Sequence, residues 1–104
     1  MTPALQAFLT LGQSRHGQFC LEASGLSLAE CRTIRSVVTN NYMDSPDYQQ
    51  SRRPSPFLQG YHEPGENSEG WVLVEFWGRE IPPYVAYLTE RLPQALAERE
   101  ALGL

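Results

Sequence analysis

The stretch GWVLVEFWG, residues 70–78, narrows the possible folds more than any other part of this chain. Read as a strand, it puts Val72, Val74 and Phe76 on one face and Trp71, Leu73, Glu75 and Trp77 on the other. A strand with one wet face alternates apolar and polar residues. Here both faces are apolar, and the surplus face carries both tryptophans of the chain. Such a strand must be covered twice, and one of the two covers has to be identified.

The neighbouring segments supply the first cover. TPALQAFLTLG predicts a short helix with Thr2 as N-cap, Pro3 in the first helical position and Gly12 as the stop. Leu5, Phe8 and Leu9 form its apolar stripe. GQFCLEA alternates, with Phe19, Leu21 and Ala23 facing one way and Gln18, Cys20 and Glu22 the other, which predicts a half-buried strand. SGL is read as a turn into a second helix. There Ser27 and Glu30 have the spacing of a capping box, and Leu26 can staple against Cys31. That helix runs to about Asn40, with Leu28, Cys31, Ile34, Val37 and Val38 on its buried face and Asn40 and Asn41 as terminators.

Residues 40–56, NNYMDSPDYQQSRRPSP, hold three prolines and read as a long polar loop, of a length that is often functional. FLQGYH follows as a short strand, placed at a sheet edge by its glycine and flanking prolines. EPGENSEG turns the chain into the two-faced strand. After REIPP comes a helix carrying Val85, Leu88 and Leu92, with Pro82 and Pro83 in its first turn. Pro93 is expected to kink or break it, because the ring opposes the carbonyl of Thr89. QALAEREALGL then resumes as a short terminal helix.

The order α-β-α-β-β-α predicts an α+β fold. It is a small two-layer sandwich with about three strands, antiparallel or mixed, and helices on one face. At 104 residues the chain is expected to form a single domain, 1–104. The second sheet face would then show Trp71, Leu73 and Trp77 with Cys20 beside them. Either a terminal helix crosses to cover that face, or a partner does.

Composition excludes several classes. A formal net charge of −4 speaks against a general nucleic-acid binder, which needs a basic face. No apolar run reaches the roughly 18 residues of a membrane span. The opening residues show neither a basic region nor a small-residue cleavage pattern, so no signal peptide is read there. With only two cysteines, the expected location is cytoplasmic. The acids Glu63, Glu66, Glu69, Glu75 and Glu80 cluster against one base, Arg79, while Arg52/Arg53 and Arg32/Arg35 form pairs. This is either solvated surface charge or a means of orienting a charged protein partner.

Chemistry-bearing groups are few. His62, Glu63 and Glu66 in HEPGE lack the four-ligand grouping of a structural zinc site, and Pro64 and Gly65 make that stretch a turn. Cys20 points away from the helix and Cys31 toward it, so a disulfide between them is not expected. Cys20 with a histidine imitates a nucleophile and base, with no third group in support. RRPS, Arg52 to Ser55, matches a short basophilic phosphorylation pattern that a turn-rich loop explains as well, and Asp44 and Asp47 beside Pro46 are turn formers. No phosphate-binding glycine loop, nucleophile elbow or HExxH motif is present. No cofactor or metal is expected.

The expected function is that of a small non-enzymatic accessory or regulatory protein that binds another protein. Trp71, Leu73 and Trp77 would be its apolar anchors, with Tyr42, Tyr48, Arg52 and Arg53 of the long loop as orienting contacts. A homodimer through the same face is the second form of this expectation. The alternative is a small-molecule-binding domain or modest enzyme, with a pocket between loop 40–56 and the sheet and His16, Cys20 or His62 nearby.

Overall fold

The first helix starts where its cap directs. Thr2 stands in extended conformation and its hydroxyl accepts the Leu5 N–H, opening α1, Pro3–Phe8. The computed structural model describes residues 2–13, 19–41, 55–77 and 82–103, with backbone alone at 13, 40–41, 55–57, 77 and 82–84. Gly12 does not serve as the stop of α1, which closes at Leu9. It begins a two-residue strand, β1, Gly12–Gln13, paired antiparallel with β2, Phe19–Leu26.

The SGL segment is a bulge inside β2, not a turn after it. Gly25 has φ +73°, and the register jumps there, with Ser24 opposite Trp71 and Leu26 opposite Gly70. An extra residue shifts side-chain parity by one. Leu26 therefore enters the core at 2% exposure instead of following Cys20, Glu22 and Ser24 to the other face. Ser27 then caps α2, Leu28–Ser36, with both halves of the capping box formed.

Cys31, Ile34, Val37 and Val38 are buried as expected, whereas Leu28 is 41% exposed. At 3.6 residues per turn it lies about 120° around the helix from Ile34, off the buried stripe. The last stretch widens into a π-helical turn, Val37–Asn41.

β3, Ser55–His62, and β4, Gly70–Trp77, form a hairpin closed by a Gly65–Ser68 bridge. The sheet order is β1-β2-β4-β3, all pairs antiparallel, which leaves β3 at an edge as its glycine and prolines imply. β3 also bulges, between Leu58 and Gly60.

The final helix, α3, Pro82–Ala101, runs through Pro93 without a break. The residue before the proline, Leu92, is fully buried, as is Leu88, and Ala95 and Leu96 pack on the same core. Tertiary packing on both sides of Pro93 thus outweighs the local loss of one backbone hydrogen bond.

Among the described residues three long strands, one short strand and three α-helices make a small α+β fold in the expected order α-β-α-β-β-α. One core joins Leu5 and Phe8 of α1, Ile34 of α2, and Leu88 and Leu92 of α3 to Leu21, Ala23, Val72, Val74 and Phe76 of the sheet. The three described helices therefore lie on one side. Among the described residues no helix is long and apolar enough to cross a membrane.

Candidate functional site

The sheet face away from the helices is built around β4. Ser24, Glu22 and Cys20 of β2 stand opposite Trp71, Leu73 and Glu75, and on the other side His62, Gly60 and Phe57 of β3 stand opposite the same three residues. Trp71 lies across this surface. Its indole N–H donates to Glu22 Oε2 at 2.9 Å, toward β2. Its six-membered ring rests over Gly60, toward β3, so closely that a Cβ there would collide with it. The aromatic ring covers the backbone that a glycine leaves bare, and the β3 bulge is what turns Gly60 to this face.

Burial is graded along the face. Glu22, Ser24 and His62 are exposed and Trp71 and Leu73 half-buried, while Cys20 and Glu75, paired in register, are 4% and 6% exposed. The face is thus more exposed at its Trp71 end than at its Cys20 end. Trp77 belongs to β4 by its backbone, opposite Ser55. Tyr42, Tyr48, Arg52 and Arg53 lie outside the described residues, as do His16, Arg79, Asp44 and Asp47.

Both cysteines are free and buried, on opposite faces of the sheet as their parity requires. Burial pushes the Cys20 thiol up, and the carboxylates of Glu22 and Glu75 add to the shift. Burial likewise raises Cys31, with Glu63 and Glu30 contributing. A thiol held protonated is a poor nucleophile. His62 Nδ1 lies 3.2 Å from the Glu69 carbonyl, within its own hairpin. Among the described residues no group of three metal-ligating side chains comes together.

The acidic hairpin is tied to α2. Glu63 accepts from Arg32 Nε at 3.1 Å and from the Tyr61 hydroxyl at 2.9 Å, and Arg35 approaches to 3.9 Å. The Arg35 guanidinium also sits 4.9 Å above the Tyr61 ring. Hydrogen bonds from Arg32 and Tyr61 hold the Glu63 carboxyl below its ordinary range. Burial and the bond to Glu63 push Tyr61 up to about 12. One acid of the hairpin is thus spent on anchoring it, and Glu66 and Glu69 remain exposed.

The pocket expected between loop 40–56 and the sheet falls outside the described residues. Cavities among the described residues lie elsewhere, one between α2 and the C-terminal half of α3, one between Leu11 and the Val85–Glu90 side of α3, and a closed void among Leu5, Glu30, Thr33, Ile34, Leu92 and Leu96. Sequence reading missed Glu22 and Gly60 as parts of the tryptophan site. Cross-strand register brings Glu22 to Trp71 from 49 residues away. Gly60 did carry a signal, a lone glycine inside a strand, which marks close approach as well as an edge. No protein-family model matches the chain, and neither a curated protein nor a solved structure does.

Proposed function

We propose that this chain is a small cytoplasmic accessory or regulatory protein, non-enzymatic, that binds another protein through the sheet face opposite its helices. The observation that carries the reading is Trp71. Its indole is spread flat on a face against which none of the described helices packs, half-buried, and held by Glu22. Tryptophan is a favoured interface anchor, and an indole already fixed in place loses less freedom on binding. The raised thiols lend no support to the nucleophile of the alternative reading.

A partner other than a second copy fits better. In a two-fold dimer the same patch meets itself, which would bring Glu22 and Glu75 toward their own mates. A partner with an arginine or lysine for Glu22 avoids that repulsion, and the net charge of −4 steers a basic surface toward this one. Trp77, Tyr42, Tyr48, Arg52 and Arg53 extend the proposed surface.

A photo-crosslinking residue at exposed Ser24, beside Trp71, tests the reading in cells. We expect a crosslinked heterologous protein, absent when Trp71→Ala is added to a chain that circular dichroism shows to be folded. A crosslink only to a second copy would replace this reading by the homodimer. Crosslinking no stronger than from exposed Gln94 of α3 would reject both.

A further inference from the structure

We propose that Trp71 and Glu22 together receive one arginine side chain of the partner, its guanidinium stacked on the indole and bonded to the carboxylate. The inference rests on the binding reading above and names what that partner presents.

The indole N–H donates to Glu22 Oε2 at 2.9 Å, which holds the carboxylate at the edge of the ring. Glu22 is exposed and enters no ion pair among the described residues, so its Oε1 keeps the capacity to accept. The six-membered ring rests over Gly60, yet Trp71 is only half-buried, so part of the indole still meets solvent. Tryptophan is the best aromatic platform for a cation, and arginine is the cation most often found on one. A carboxylate at the ring's edge adds a charge-assisted hydrogen bond to that attraction.

The charges of the chain are divided in the same sense. The described arginines, Arg32, Arg35, Arg91 and Arg99, all stand on α2 and α3, on the helix side of the sheet. Arg32 and Arg35 are drawn to Glu63, and Arg91 to Glu98. Glu66 and Glu69, exposed in the hairpin that leads into Trp71, add negative charge at this end of the sheet. Among the described residues no base answers Glu22, and the proposed cation comes with the partner.

Arginine fits this pair better than lysine. Its guanidinium is planar and weakly hydrated, so it lies over a ring and still turns N–H groups toward a carboxylate. The lysine ammonium is a compact charge that gives up more hydration to sit there.

NMR titration of the full chain at constant ionic strength tests the proposal through the Trp71 indole N–H signal, assigned with Trp71→Phe. The probes are acetyl-Gly-Arg-Gly-amide, its lysine counterpart and its citrulline counterpart, which keeps the planar shape without the charge. We expect weak, saturable binding of the arginine peptide, a few-fold weaker binding of the lysine peptide and none of the citrulline peptide. Glu22→Gln keeps an acceptor for the indole but removes the charge, and it should weaken the arginine peptide a few-fold while the urea midpoint stays near wild type. Equal responses to arginine and citrulline would overturn the cation. Lysine as tight as arginine would overturn the choice of side chain, and unchanged arginine affinity in folded Glu22→Gln would overturn the pairing with the carboxylate. The Ser24 crosslink reports separately on the reading beneath. A captured protein without an arginine response rejects this inference alone, and an arginine response without a captured protein supports the receptor and rejects the protein partner.

Discussion

At the scale of single residues, Glu30 joins two helix starts through one carboxylate. Its Oε1 accepts the Ser27 N–H at 2.8 Å, and its Oε2 accepts the hydroxyl of Thr2. Thr2 in turn caps α1 and Ser27 caps α2, so one buried side chain, 5% exposed, fixes the approach of both helices. The capping box was legible because its parts lie three residues apart in LSLAEC. The bond from Thr2 was not, because its ends are separated by 28 residues and only the packed core brings them together. Ser27→Ala is expected to cost about 1 kcal/mol, read as a lower urea midpoint at unchanged slope. Glu30→Ala should cost more, since it strips a partner from both caps. Equal losses in the two variants would mean that the contact with Thr2 contributes nothing.

At the scale of elements, two bulges decide which side chains share a face. Alternation predicts parity only while the ladder is regular. Up to Ser24 it placed Leu21, Ala23, Cys20 and Glu22 correctly, and past Gly25 it would have sent Leu26 to the wrong side. Phe19 kept its parity but lies at the strand end, where it is 46% exposed. In β3 the bulge after Leu58 turns Gly60 toward Trp71 and Tyr61 toward α2. Gly60→Ala puts a methyl group where the indole lies, and we expect a loss of about 1–3 kcal/mol, the usual cost of overpacking. Tryptophan emission should shift red as the ring is lifted, and unchanged emission and stability would place the ring elsewhere. Tyr61 links β3 to α2 through Glu63, and its folded value is raised from 10.0 to about 12. A raised value means the protonated phenol is favoured by folding, so its contribution is complete below pH 10 and is lost as pH rises toward 12. Tyr61→Phe should therefore flatten the alkaline fall of stability across that window. Denaturant midpoints taken through the window for both proteins give the answer, and parallel curves would count against it.

At the scale of the whole molecule, the fold is a sheet with one side covered by the described helices and a partly covered one. GWVLVEFWG announced both, because a strand apolar on each face has to be covered twice. Which cover comes from within the chain was not legible, since that depends on the described helices all choosing the same side. They do, and Leu21 and Leu73, on adjacent strands, show the consequence: Leu21 is wholly buried beneath the helices, and Leu73 is half-buried on the other face. Leu21→Ala removes atoms from a packed core and should cost about 2–5 kcal/mol, a large part of the roughly 5–15 kcal/mol that holds a domain of this kind together. Leu73→Ala takes away area that water already reaches and should cost less than half as much by urea unfolding of the isolated protein. If Leu73 serves a partner, the ranking reverses in a binding assay, where Leu73→Ala weakens capture of the Ser24-crosslinked protein and a folded Leu21→Val variant does not. An equal stability loss at the two positions would mean that the Trp71 face is core throughout, and the interaction surface would have to be sought elsewhere on the molecule.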